Sequence, residues 1–177
     1  AGGERASPAV ADIEAAEAAD EIDVVLPYRA FAEGRADVAS TVLRAARAAA
    51  GGRKLKVIVE TGMLRETGVI RRAADMAIDE GADFVKTSTG KVDVNATPDA
   101  VSAMLMAILS ARRTVGLKPA GGVRTLEDAR AYIELAEAAM GAGWVGPDTF
   151  RIGASGVLAA LLEALGERPD ATAAAAY

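Results

Sequence analysis

Two lysines stand where a cation is costly. Lys86 lies within FVKTSTGK (Phe84 to Lys91) and Lys118 within VGLKPAGG (Val115 to Gly122), each inside a short apolar run that reads as a buried strand. Burying an unpaired charge is strongly unfavourable, so each lysine needs a reason to be there. For one lysine alone, the plain reason is a structural ion pair with Asp23 or Glu60. Two lysines against a shared cavity, each leading into a glycine-bearing loop, favour a chemical reason. A lysine beside a second cation and away from water has a lowered pKa, and its neutral amine attacks aldehydes and ketones. The resulting iminium is an electron sink that lets an adjacent carbon–carbon bond break or form. Asp23 is the natural proton carrier, and it also suits a salt bridge to a lysine. Glu60 reads equally well as a structural counter-ion. Lys56, nearer the start of its strand, reads as structural.

Composition removes the main alternatives. The chain has no cysteine and no histidine, which eliminates thiol nucleophiles, Ser-His units and the commonest transition-metal ligands. The same absence argues against a zinc enzyme. Acid–base chemistry is left to Asp, Glu, Lys and Tyr. A net charge of −5 without a basic block argues against nucleic-acid binding. The longest apolar run, AVSAMLMAIL, is short of the roughly 20 residues a membrane span needs. With no signal-peptide pattern, the expected location is cytoplasmic.

The elements that must position these residues alternate regularly. Short apolar runs predict strands over 21–26, 55–60, 83–88, 113–118 and 149–153, with helical spacing over 37–50, 64–80, 98–111, 126–140 and 155–165. A further helix is expected from Ser7 to Ala19. Thr97-Pro98-Asp99 reads as a capped helix start, and Thr125-Leu126-Glu127-Asp128 resembles a capping box. Repeated βα units imply a parallel sheet, and side-chain parity chooses its form. One strand face collects Asp23, Val25, Lys56, Ile58, Glu60, Phe84, Lys86, Ser88, Gly116, Lys118, Arg151 and Gly153. The other collects Val24, Val57, Val59, Val85, Thr87, Leu117, Phe150 and Ile152. One apolar face under helices and one charged face describe the wall of a barrel, not an open sheet with helices on both sides. Such a barrel has eight strands and typically about 250 residues, whereas this chain has 177. The expected fold is therefore an α/β (β/α)8 TIM barrel of which the chain supplies about five C-terminal units. It is read as a single domain over 1–177 with a mobile tail at 167–177. The opening AGGERASPAV, without an initiator methionine, is expected to reflect processing or a fragment.

Two glycine segments, PAGGVRT after the fourth strand and RIGASG after the fifth, suit a phosphate. In barrels, the loops after the last two strands and a helix N-terminus commonly hold one through backbone N–H groups. Thr87 to Lys91 would add a hydroxyl and a cation.

In order along the chain, ETG, GADFVKTSTGK, KPAGGVRTLEDA and RIGAS resemble the deoxyribose-phosphate aldolases. VNATPDAV and the terminal tyrosine are similar to the bacterial branch, and the likeness runs from about Asp20 to Tyr177. The resemblance implies a class I aldolase without metal or other cofactor. It would cleave 2-deoxy-D-ribose 5-phosphate reversibly to acetaldehyde and D-glyceraldehyde 3-phosphate. It implies Lys86 as the Schiff-base residue, Lys118 as the charge that lowers the pKa of Lys86, and Asp23 as the proton carrier with Lys118. Tyr177 would assist enamine protonation. Phosphate contacts would fall on Gly121, Gly122, Gly153, Ser155 and Gly156, with Lys91 and Thr87 close by. The chain departs from the pattern where relatives carry two serines after GA and it reads Ser155-Gly156. It also begins near the family's fourth strand. Two other readings stay open: a catalytically silent barrel fragment completed by an N-terminal segment or another copy of the chain, and a different Schiff-base aldolase acting on a phosphorylated keto-sugar.

Overall fold

The structure is a computed structural model describing residues 6–166. Four parallel strands in the order β1-β2-β3-β4 form its sheet: β1 Glu21–Val25, β2 Lys54–Ile58, β3 Phe84–Lys86 and β4 Gly116–Lys118. Helices α1 Ala6–Ala15, α2 Tyr28–Ala32, α3 Ala36–Ala50, α4 Thr61–Leu64, α5 Thr67–Asp79, α6 Pro98–Ser110, α7 Leu126–Met140 and α8 Ser155–Ala164 surround it.

Alternate residues of the strands face opposite sides of the sheet, as their pattern predicts. Ile22, Val24, Leu55, Val57, Val59, Val85, Leu117 and Phe150 are buried in one cluster with the inward faces of the helices. The face they leave carries the charges. α3 shows why the segments between strands are helical: Ala39, Val42, Leu43, Ala46 and Ala50 recur on one side and are buried. Side-chain caps fix two helix starts. Thr97 accepts a hydrogen bond from the Ala100 N–H, with Pro98 in the first turn, and Thr125 and Asp128 complete a reciprocal capping box. None of the described helices is long and apolar enough to cross a membrane.

The fifth strand differs from expectation. Residues 149–153 join the sheet only through bridges Leu117↔Phe150 and Ala120↔Gly153. Leu117 N–H donates to Thr149 O, Arg151 N–H to Leu117 O, Gly153 N–H to Pro119 O and Gly121 N–H to Gly153 O. A continuous parallel ladder in this register would also need a bond from the N–H of residue 119 to Arg151 O. Pro119 has no N–H, so the ladder breaks in its middle.

Two helix boundaries also differ. The helix expected over 64–80 begins at Thr67, after a separate turn that ends where Arg65 takes φ 62°. The first helix ends at Ala15 instead of Ala19. There the Arg53 guanidinium donates to the carbonyls of Ile13 and Ala16 and satisfies groups a helix end leaves unpaired.

Candidate active site

Strand register sets the site. Asp23 lies opposite Lys56, and Lys86 opposite Lys118, on adjacent parallel strands. Neighbouring strands are about 4.8 Å apart, so these side chains emerge from the concave face within reach of one another.

Asp23 is the centre of the group. Its Oδ2 accepts a bond of 2.8 Å from Lys86 Nζ, and its Oδ1 one of 2.9 Å from Lys56 Nζ. Lys56 is buried, with 5% of its side chain exposed, and holds a second carboxylate, Glu21, at 2.8 Å. Glu21 in turn accepts both terminal nitrogens of Arg151, at 3.0 and 3.2 Å. Arg151 stacks over the Phe84 ring, 5.1 Å from its centroid, and Lys54 lies 5.7 Å from the same ring. Gly116 makes that ring possible: a Cβ there would stand 2.2 Å from Phe84 Cε1.

These contacts set the charge states. Burial raises the Asp23 carboxyl, but its bonds to Lys86 and Lys56 outweigh that and hold it below the ordinary aspartate value. Burial pulls Lys56 down, while Glu21 and Asp23 together push it above the usual lysine range. It is a fixed cation, in keeping with a structural role. Lys118 behaves in the opposite way. Burial lowers it foremost; Asp23 works against this, and the charges of Lys86, Lys56 and Arg151 lower it further. No ion-pair partner holds its ammonium form among the described residues. Lys118 thus holds its proton less tightly than an ordinary lysine.

The two glycine loops meet beyond Lys118. Gly121 and Gly122 take φ of 78° and 81°, where a side chain is strained. A Cβ on Gly121 would meet the Asn95 side chain at 2.6 Å, and one on Gly153 would meet Ala120 Cβ at 2.6 Å; nothing lies within 4 Å of that position at Gly122. The first turn of α8 abuts this loop, since a Cβ on Gly156 would stand 3.8 Å from Arg124 O. The N–H groups that a helix start leaves without intrahelical partners, next to a loop in which Gly122 is open, are of the kind that accept an anion. Lys91 is exposed on the loop after β3.

Three expectations need correction or limits. Thr87 is not placed to offer its hydroxyl to an anion: it is fully buried, donating to Ala120 O at 3.0 Å and accepting from Ala120 N–H at 2.9 Å. It braces the loop after β4. Glu60 has no lysine within ion-pair distance among the described residues. It takes a left-handed backbone (φ 58°, ψ 58°), and its Oε1 accepts the Thr89 N–H at 3.1 Å. Tyr177, with the whole 167–177 tail, lies outside the described residues.

Sequence reasoning missed Glu21 as a member of the group, although the parity that chose Asp23 places residue 21 on the same face. The glycine of ETG also gains a reason. A Cβ on Gly62 would stand 1.8 Å from Val94 O, so the loop after β3 closes directly onto it.

Known proteins resemble the chain over this whole arrangement. The family model described as DeoC/LacD family aldolase matches residues 5–161. A deoxyribose-phosphate aldolase of Agrobacterium fabrum is 52% identical over 171 residues, covering 95% of this chain and 66% of its own length. The chain thus spans just under two thirds of that relative. The crystal structure of a putative deoxyribose-phosphate aldolase from Coccidioides immitis superposes with a TM-score of 0.77 at 30% identity, over 88% of this chain and 57% of that one. A tetrameric deoxyribose phosphate aldolase from Aeropyrum pernix gives 0.61 at 27% identity, over 91% and 60%. The curled parallel sheet is accordingly part of a (β/α) barrel, and the chain belongs to the DeoC/LacD family of aldolases.

Proposed function

We propose that the protein is a lyase, an aldolase that cleaves 2-deoxy-D-ribose 5-phosphate reversibly to acetaldehyde and D-glyceraldehyde 3-phosphate through a Schiff base on Lys86. One observation carries this reading: Lys86, bonded to Asp23, stands in register beside an amine, Lys118, that burial and neighbouring cations hold below the ordinary lysine range. Lys118, which holds its proton loosely, is the base at hand to take a proton from the Lys86 ammonium and so release the nucleophile.

The neutral Lys86 amine attacks the C1 aldehyde of the open-chain sugar. The carbinolamine loses water, with a proton delivered to the leaving hydroxyl, and gives an iminium. Loss of the C3 hydroxyl proton then breaks the C2–C3 bond, its electron pair moving into the C1–C2 enamine as glyceraldehyde 3-phosphate departs. Protonation at C2 and hydrolysis release acetaldehyde and restore the amine. Lys118 and Asp23 are the groups at hand for these transfers, Lys118 as an amine that readily changes state and Asp23 as the anion steadying the ammonium forms. The phosphate would rest on the Gly121-Gly122 loop and the start of α8 at Ser155 and Gly156, with Gly153 giving close approach and Lys91 on the loop after β3. Tyr177 is kept as the proposed aid to enamine protonation. The substrate is a small phosphosugar, the reaction needs no added cofactor, and a cytoplasmic setting fits deoxyribonucleotide breakdown.

The test is borohydride reduction in the presence of acetaldehyde, followed by peptide mapping. A two-carbon adduct is expected on Lys86 and absent in Lys86→Leu. In Lys118→Leu trapping is expected to move to higher pH. An adduct confined to Lys118, or none on the wild-type protein, refutes the assignment.

A further inference from the structure

We propose that Glu21 and Arg151 are positioning residues, an ion pair that joins the two outer segments of the sheet across its concave face and, through Lys56, fixes Asp23 and sets the positive charge around Lys118. Its catalytic meaning rests on the Schiff-base reading above; its electrostatic content does not.

The pair spans the sheet. Glu21 opens β1, at one edge, and Arg151 lies in the segment bridged to β4, at the other. Their side chains meet beside the Phe84 ring, which faces Arg151 at 5.1 Å. From there the contacts climb without a gap. Arg151 holds Glu21, Glu21 holds Lys56 at 2.8 Å, Lys56 holds Asp23 at 2.9 Å, and Asp23 holds Lys86 at 2.8 Å. Each carboxylate bridges two cations, so neither can shift toward one partner without weakening its bond to the other. Lys56 divides its ammonium between the two acids, and this division places Asp23 Oδ2 on Lys86.

The same chain governs charge. The groups on this face are Glu21 and Asp23 from β1, Lys56 from β2, Lys86 from β3, Lys118 from β4 and Arg151. Below them lies the Lys54–Asp148 pair at 3.0 Å. No charged helix side chain is bonded to these groups among the described residues. Removing Glu21's charge leaves Arg151 without its carboxylate and Lys56 with Asp23 alone, so Lys118 meets one more uncompensated positive charge. Removing Arg151's charge does the reverse. A pair that merely clamps the sheet would respond to both changes alike, by loosening.

The two roles therefore differ in sign, and lysine-selective carbon-13 and nitrogen-15 NMR titration of the full chain reads that sign directly. Glu21→Gln is expected to lower the Lys118 midpoint and Arg151→Met to raise it, each by about half a pH unit to one unit for a unit charge several ångströms away. Glu21→Asp should keep the wild-type midpoint. The double variant Glu21→Gln/Arg151→Met removes one charge of each sign and should return the midpoint close to wild type. That variant tests the proposal even if one single variant fails to fold. Midpoints that move the same way in both single variants, or a double variant displaced as far as either, overturn it. Acetaldehyde trapping on the same samples separates the two readings. Opposite shifts without any Lys86 adduct uphold the charge device and defeat the aldolase. An adduct with unmoved midpoints does the reverse.

Discussion

Replacing Asp23 by asparagine is the sharpest perturbation of the group, because it removes charge and keeps shape. The carboxylate accepts from Lys86 at 2.8 Å and from Lys56 at 2.9 Å, and 29% of its side chain is exposed. Charge-assisted bonds of this kind contribute about 1.5–3 kcal/mol each, net of hydration. Asparagine keeps one acceptor and turns its NH2 toward the other lysine. Lys56 retains Glu21, whereas Lys86 loses the one carboxylate within ion-pair distance of it among the described residues. Water reaching the partly exposed side softens the loss, which leaves an expected cost of about 2–3 kcal/mol, below that of breaking a fully buried pair. For a chain of this length that is a fall of about 5–10 °C in melting temperature. The pH dependence supplies the check on cause. Asp23 titrates below its unfolded value of 3.8 in the native state, so the unfolded chain takes up the proton first. The stabilisation is complete above the unfolded pKa and disappears as pH falls through the folded one. Thermal melts of both proteins from pH 8 down to 2 should show a constant gap to about pH 5 that closes below about 4. An equal or higher melting temperature for the variant, or a gap that persists into strong acid, would refute the claim that the two lysines lean on this carboxylate's charge.

Two further substitutions probe the frame that holds the group. Gly116→Ala drives a methyl to within 2.2 Å of the Phe84 ring, so it should destabilise the fold by about 1–3 kcal/mol. Displacing the ring under Arg151, it should also weaken acetaldehyde trapping at Lys86; unchanged trapping would separate the ring from the site. Thr87→Val keeps volume but strands the Ala120 N–H and C=O that the hydroxyl satisfies. It should cost about 2–3 kcal/mol in denaturant unfolding and quicken amide exchange around Ala120; a loss below half a kilocalorie would mean the loop is held from elsewhere.

The parity of alternate residues made much of the site legible before any coordinates. It assigned Asp23, Lys56, Lys86, Lys118 and Arg151 to one face, and register then brought them together. Distances across the sheet were not legible, because they depend on how far the sheet curls. Arg151 was placed on the correct face yet without its partner Glu21, which lies 130 residues away in sequence. Parity also placed Thr87 on the apolar face with Val85, a sign against a phosphate role that the attraction of a nearby hydroxyl overrode. Glu60 illustrates a different limit. Alternation applies only while the chain is extended, and β2 ends at Ile58, so by residue 60 the backbone has turned left-handed. The interruption at Pro119 was available from the sequence in principle. It required knowing which side of Lys118 faced the fifth segment, and that is a matter of register.

The concave face carries a charge opposite to that of the molecule. Its hydrogen-bonded group holds two acids, Glu21 and Asp23, against three bases, Lys56, Lys86 and Arg151, with Lys118 beside them. The chain as a whole has a formal charge of −5. A positive recess in an anionic protein does two jobs that one uniform charge could not. A net negative charge disfavours polyanions at large, whereas a positive recess bordered by low-dielectric sheet and helix would concentrate field on a small anion able to enter it. On the proposed reading, the positive charge that would draw such a molecule in also adds to the effect of burial in loosening the Lys118 proton. Under that proposal attraction and nucleophile activation would share one imbalance of charge, which any change to Glu21 or Arg151 would alter for both.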